Sequence, residues 1–446
     1  MHEPIRRRSR LKKIVLGIIT LGIALVVIGL AIIVFWPDVA AQNIDHLRDI
    51  IGDAPVAQLE EIVLSIKDHT QQLEYNLGLV KPAAPWAEST EQAVILEPTS
   101  TLDKVVDDVP IYPTKLTNDP SSAATSAAPT ASAATLTPSH PGVVTATTAP
   151  NSPSSTPTEM PKNLAAWPPA PLTPLGNLVG EGQWSPYLNA ANGKTAVAYR
   201  TYLQSDPLRP YSFTAVVAFD LQATRLHFVL GSVEPIPESP QPSRTGLIPA
   251  ADLKPGKLIA TFNGGFKARH GQYGAMADGL IALPPIDGLA TVAMYADGRV
   301  QIGEWGTDVQ DSPNLVAWRQ NGKMLIHNSQ INPETARTDV SWGRTIKGDT
   351  ITCRSALGLS ADGRTLYYVV GLQLDAPTLA KVMMDAGTEE ALELDVNDYW
   401  VHFAAVRKSG ATLYVEPLLK AMNFQVDRYL KGWSRDFFYV TTVAIR

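Results

Sequence analysis

The residues best suited to chemistry in this chain lie between Leu258 and Gly279, LIATFNGGFKARHGQYGAMADG. An apolar strand-like run, Leu258 to Phe262, empties into Asn263-Gly264-Gly265-Phe266 and then into Lys267, Arg269 and His270. Two adjacent glycines after a buried strand let the backbone turn through positive φ and bring bare amides close to a ligand. A cationic cluster directly behind them suits an anion such as phosphate, with Asn263, Gly264 and Gly265 as binding residues. The same letters also describe a tight turn followed by a solvated basic loop. Asp278, before Gly279, is either a further binding group or a turn residue.

A second segment, Cys353 to Gly371 (CRSALGLSADGRTLYYVVG), reads as a β-hairpin around Asp362-Gly363. Arg354 sits on or beside a central strand, where a charge must be paired or must bind an anion. Phosphate binding and a salt bridge to Asp395 or Glu393 are its two readings. A helical pattern follows over Asp375–Ala386, with Leu379, Val382, Met383 and Ala386 on one face and Gly387 as its C-cap. In Ala391-Leu392-Glu393-Leu394-Asp395 the alternation buries both leucines and turns Glu393 and Asp395 to the other face.

Asp395, Asp398 and Glu393 supply carboxylates, the groups that general acid/base work requires. His270, inside the loop, is a candidate catalytic group, whereas His327 and His402 read as structural histidines. Of Trp184, Trp305, Trp318, Trp342 and Trp400, Trp184 and Trp400 are the best placed to stack on a sugar. No HExxH or EF-hand spacing occurs, so no metal site or cofactor is expected, and a divalent cation held by carboxylates has no support.

The order NGGF, Arg-Ser-Ala-Leu-Gly with a DG hairpin, a helix ending in Gly, then ALxLD resembles the phosphodiester glycosidase family, roughly over residues 176–446. Arg319-Gln320-Asn321 ahead of Leu325 is similar to the RQN strand of several bacterial members. The resemblance implies cleavage of a sugar-phosphodiester. In that reaction Arg354 and the Gly264-Gly265 amides would hold the phosphate, and Asp395 would act as general acid/base, aided by His270 or Asp398. Family members continue ALNLD into GGGSS. Here the chain reads Asp395-Val396-Asn397-Asp398-Tyr399-Trp400, with Glu393 at the family's Asn position. That departure supports an alternative, a non-catalytic glycan-binding or envelope-organising module with the same fold.

The elements that must position these residues occupy only part of the 446-residue chain. A net charge of −6 gives no basic footprint and excludes nucleic acid as a partner. Cys353 is the only cysteine, which excludes an intrachain disulfide and a Cys-based zinc site; it reads as a small buried hydrophobe. Residues 1–13 form a basic tail carrying Arg6, Arg7, Arg8, Arg10, Lys12 and Lys13. Ile14 to Trp36 is uncharged and apolar, about 34 Å long as a helix, enough to cross a bilayer. The basic flank predicts a cytoplasmic N-terminus and an extracytoplasmic remainder. The length of the span favours a retained anchor over cleavage near Val39-Ala40-Ala41.

Residues 37–116 read as a juxtamembrane region. Within it Gln42 to Leu79 forms two amphipathic helices, broken at Gly52-Asp53-Ala54-Pro55, that offer a surface for self-association. Residues 117–175 read as a disordered Ser/Thr/Pro/Ala-rich stalk, with no charge from Pro120 to Thr158. Residues 176–446 are expected to be one α+β domain, strand-rich, with mixed sheets and few helices. Its predicted strands include Ala196–Leu203, Leu258–Phe262, Ala356–Leu359, Tyr399–Val406 and Phe437–Val443. The two Ala-Asp-Gly-Arg copies, 296–299 and 361–364, read as hairpin turns. The expected partner is a phosphate-linked glycan of an envelope or exopolysaccharide.

Overall fold

The computed structural model describes residues 44, 46–86, 94–96, 165–237, 239–337, 342 and 347–443. The basic tail, the apolar span 14–36 and the stalk up to residue 164 lie outside the described residues. Among those described, no helix is long and apolar enough to cross a membrane.

The domain is built on three sheets. The largest runs β13 (Gln330–Ile331), β12 (Met324–His327), β16 (Thr388–Val396), β14 (Thr352–Ser360), β15 (Thr365–Leu374), β4 (Thr214–Asp220), β3 (Ala196–Leu203), β2 (Ser185–Asn189). The second runs β1 (Val94–Leu96), β18 (Thr412–Pro417), β17 (Phe403–Ser409), β6 (Leu258–Asn263), β19 (Phe437–Thr442), β5 (Thr224–Val229). The third runs β10 (Val300–Glu304), β9 (Ala290–Tyr295), β11 (Leu315–Gln320), β7 (Ala275–Ala277), β8 (Leu280–Leu283).

Every strand pairing in these sheets is antiparallel, which corrects the expectation of mixed sheets. The physical reason is the supply of tight turns: two-residue hairpin loops join antiparallel neighbours, whereas parallel pairs need long crossovers. Both Ala-Asp-Gly-Arg copies are slightly longer hairpin turns, each closed by the glycine amide, Gly298 onto Tyr295 O and Gly363 onto Ser360 O, both at 2.8 Å. Gly298 and Gly363 adopt φ of 89° and 72°, and Asp297 and Asp362 each accept a hydrogen bond from the amide two residues on, at 2.9 and 3.0 Å.

The main core lies between sheets. Phe219, Leu357, Tyr368 and Val370 of the large sheet meet Phe262, Phe403 and Phe438 of the second, with Ala275, Val292 and Ala317 of the third. The other face of the large sheet is covered by α2 (Ala376–Asp385), capped by Asp375, whose Oδ1 accepts from the Thr378 amide at 2.8 Å. That helix buries Leu379, Val382 and Met383 against Val216, Tyr367 and Val369. Cys353 is buried, and burial raises its thiol well above the ordinary value. Leu172 is also buried and Trp167 packs beside it, so the segment from Ala165 to Leu175, assigned to the stalk by composition, is built into the domain.

A long helix, α1 (Asp53–Asn76), precedes the domain and starts just after Gly52, where the Gly-Asp-Ala-Pro break was read. It docks by ion pairs together with a buried Val56 and a ring contact of Tyr75 with Tyr211. Asp68 takes a bidentate pair from Arg209 at 2.5 and 2.6 Å, Glu61 pairs with Lys347 at 2.7 Å, and Lys67 pairs with Asp398. Ile62, Ile66 and Leu73 remain exposed.

Candidate functional site

Each sheet sends one inner strand to the same place. Asn263 ends β6, between β17 and β19; Arg319 and Gln320 end β11, the middle strand of its sheet; Ser355 and Asp395 lie on the adjacent strands β14 and β16. A buried polar network must satisfy its members mutually, and Asn263 is its hub. Asn263 Oδ1 accepts from the Tyr368 hydroxyl at 2.9 Å and the His402 amide at 3.1 Å. Its Nδ2 donates to the Ser355 hydroxyl at 3.0 Å, which in turn donates to the Asp395 carbonyl at 2.9 Å.

The glycine pair is required for a different reason from the one its sequence suggested. Neither Gly264 nor Gly265 lies in the left-handed region of φ. A Cβ on Gly264 would lie 2.1 Å from Asp436 Oδ2, and one on Gly265 would lie 3.0 Å from Asn321 Oδ1. Their peptide groups are clamped by side chains. The Gly265 amide donates to Asp436 Oδ2 at 3.1 Å, and its carbonyl accepts from Arg435 Nη2 at 2.8 Å. The Phe266 amide donates to Asn321 Oδ1 at 3.0 Å. Close packing, not a left-handed turn, excludes side chains here.

Asp395 is buried, 6% exposed, and forms an ion pair with Arg435 at 2.5 Å. Burial pushes its carboxyl up to about 6, although Arg435 and the Val396 amide favour the charged form. A register shift between Arg354 and Ala356 against β16 marks a bulge beside Asp395. Bulges of this kind re-aim side chains. The strand is buried on both faces, Glu393 and Asp395 as well as Leu392 and Leu394, which corrects the simple in/out alternation.

Three arginines are buried here, and they differ in what they have left to offer. Arg354, 0% exposed, donates to Glu393 Oε1 at 2.6 Å, Leu374 O at 3.0 Å, Lys347 O at 2.9 Å and Thr350 O at 3.1 Å. Its salt bridge is to Glu393, and its guanidinium serves the fold. Arg319 is spent likewise, on Asp436 at 2.8 Å and on the carbonyls of Tyr273, Gln320 and Phe266. Among the described residues, Arg435 shares its Nη2 between the Gly265 carbonyl and Asp395, and its Nε is buried with no hydrogen-bond partner. The anion-binding role given to Arg354 on sequence fits Arg435 instead.

Trp400 completes the cluster. The Lys267 ammonium lies 4.4 Å and the Arg435 guanidinium 4.5 Å from its ring centroid. Other sequence candidates fall outside. Asp278 is an exposed residue at φ 51° in the turn between β7 and β8. Asp398 is exposed and paired with Lys67. His270, in a single 3-10 turn, is half-buried and makes no hydrogen bond to Asp395. The predicted strand Tyr399–Val406 begins only at Phe403, because Asn397, at φ 87°, opens a turn that the Trp400 and Val401 amides close back onto its carbonyl. Asn397 occupies the left-handed conformation in this turn without a glycine.

Sequence reasoning missed Ser355, Tyr368, Arg435 and Asp436. Arg435-Asp436 was detectable as a charged pair directly before a buried strand, β19. No cluster of His, Cys, Asp or Glu among the described residues has the arrangement of a metal site.

No curated protein matches this chain. Among solved structures, the catalytic domain of zebrafish N-acetylglucosamine-1-phosphodiester alpha-N-acetylglucosaminidase, auto-inhibited by its pro-peptide, is 15% identical with a TM-score of 0.36. That match covers 58% of this chain and 87% of that one. A hypothetical protein from Synechocystis is 8% identical with a TM-score of 0.28, over 52% of this chain and 59% of that one. Residues 256–395 match the sequence profile of the phosphodiester glycosidases. That segment, a phosphodiester glycosidase domain by its sequence, runs from the approach to the NGGF loop through Asp395.

Proposed function

We propose that the domain hydrolyses a glycosyl phosphodiester, with a phosphate-linked envelope or extracellular glycan as substrate. The observation that supports this reading most is the juxtaposition of an incompletely used guanidinium, Arg435, with a buried carboxyl raised to about 6, Asp395. Arg435, with Lys267 nearby, would hold the phosphate. Asp395 would protonate the departing phosphate oxygen as the bond to the anomeric carbon breaks, and water would supply the oxygen that replaces it. Trp400 presents its ring face to the cations that flank it and would offer apolar contact to the sugar.

The test follows release of free sugar from a panel of sugar-1-phosphodiesters by the full chain, with and without added divalent cation. Asp395→Asn keeps the shape and removes the titrating proton, so turnover should fall by about 10²–10⁴-fold while binding survives. Binding by the unmodified chain with no turnover on any substrate would sink the hydrolase. The non-catalytic binding module then stands, a reading favoured by the full engagement of Asp395 within the protein. Residues 14–36 would anchor the chain with its domain outside the cytoplasm. The exposed Ile62, Ile66 and Leu73 of α1 would provide its surface for self-association.

A further inference from the structure

We infer that Asp395 is the resident counter-ion of Arg435 and yields that place to the substrate's phosphodiester anion by taking up one proton. The exchange that seats the substrate would thereby load the general acid. The inference rests on the phosphodiester reading of the site.

Its ground is the uneven use of charge in a closed space. Of the buried carboxylates, Asp436 is held by Arg319 and Glu393 by Arg354, and both arginines are saturated with hydrogen bonds. Arg435 has donors to spare. Its contact with Asp395 is an ion pair at 2.5 Å, its hydrogen bond goes to the Gly265 carbonyl, and its buried Nε has no acceptor. Once Asp395 lets go of Nη2, that nitrogen and Nε form a donor edge that fits two oxygens of a phosphodiester. Seating that monoanion beside an ionised Asp395 would set two negative charges against the one Arg435 guanidinium, with Lys267 as a second cation nearby, in a site sheltered from water. Protonation of Asp395 removes the conflict.

The other titratable and charged groups around Asp395 do not relieve it. Lys267, against Trp400, favours the ionised form of Asp395, but Asp436 and Glu393 oppose it with negative charge, and Cys353 and Tyr429 are kept neutral by burial. The proton comes from solvent on binding. In turnover it passes to the phosphate oxygen as the C1–O bond breaks. The incoming water bonds to C1 through its oxygen and returns one proton to solvent.

The experiment counts protons. The full chain is titrated calorimetrically with the methyl esters of glucosyl- and N-acetylglucosaminyl-methylphosphonate, monoanions whose C–C–P linkage cannot be hydrolysed. Buffers of different ionisation heat are compared at pH 5 and pH 7.5. Wild-type protein should take up nearly one proton per ligand at pH 7.5 and much less at pH 5, with affinity falling about tenfold per pH unit above about 6. Asp395→Asn should bind with no proton uptake and no such pH dependence.

Wild-type binding without uptake at pH 7.5 overturns the inference, and so does undiminished uptake in the Asn variant. Failure of both analogues to bind at millimolar concentration overturns it too, because the seat is then closed. The wild-type measurement stands by itself if the variant does not fold. Sugar release is scored separately. Uptake without release defeats hydrolysis alone, and release without uptake defeats the exchange alone.

Discussion

Asp395 is the residue on which pH dependence turns. Its folded-state value of about 6 exceeds the ordinary 3.8, so between these values the native chain holds a proton that the unfolded chain has lost. Stability from this group is therefore greatest below about 4 and is lost as pH rises through about 6. Denaturation midpoints followed across that window should show the decline in wild-type protein and not in Asp395→Asn. If Asp395 donates the proton, kcat/KM should fall about tenfold per unit above pH 6, while kcat, which reports the loaded complex, should hold to higher pH. Gly264→Ala places a methyl 2.1 Å from Asp436 Oδ2, against a carboxylate fixed by Arg319. It should cost about 1–3 kcal/mol and disturb the loop, a loss measurable by chemical denaturation. Glu393→Ala strands Arg354 in the core without its counter-ion and should cost about 3–5 kcal/mol by the same measurement.

At the scale of the element, β14 shows how one residue of register reassigns a role. Arg354 and Ser355 are neighbours on an extended strand and project to opposite sides. Arg354 turns to Glu393, and Ser355 turns to Asn263 and Asp395. Helix α1 poses a different problem, because its docked side relies heavily on ion pairs while its exposed face carries Ile62, Ile66 and Leu73. Burial opposes ionisation of Asp68, but the Arg209 guanidinium prevails and holds its carboxyl below the usual range. The contribution of that pair is present above the ordinary carboxylate pKa and is lost as pH falls through the depressed one. Amide hydrogen exchange of residues 53–76 should therefore accelerate under acid relative to the domain strands. Asp68→Asn should show the faster exchange already at neutral pH.

For the whole molecule, the central fact is convergence from three sheets onto one buried network, with Asn263 from β6, Arg319 from β11, and Ser355 and Asp395 from β14 and β16. Antiparallel sheets bring strand ends and loops together at a common edge, and loops held by a rigid scaffold are where function concentrates. Beyond the domain, the basic flank and apolar span at residues 6–36 lead to an expectation at the same scale. Protease added to intact cells should release a soluble fragment by cutting between Pro120 and Thr158. Complete protection of the domain would reverse the proposed orientation.

The DG hairpins, the Asp375-capped helix and the existence of the strand that carries Asp395 were legible in the sequence. Each is fixed by local physics: turn chemistry, capping, and an apolar run between turns. Buried strands were legible for the same reason, from β3 to β19. What the sequence could not settle was partnership. Arg354 and Arg435 are both arginines next to apolar strands, and nothing local says which is saturated by carbonyls and which keeps a free edge. That depends on the distant groups packed around each: Glu393, Leu374 and Lys347 for one, Gly265 and Asp395 for the other. The glycine pair makes the same point, since its lack of side chains answers to Asp436 and Asn321, far along the chain. Long-range packing assigns these roles because desolvation and ion pairing depend on distance in space and not on separation in sequence.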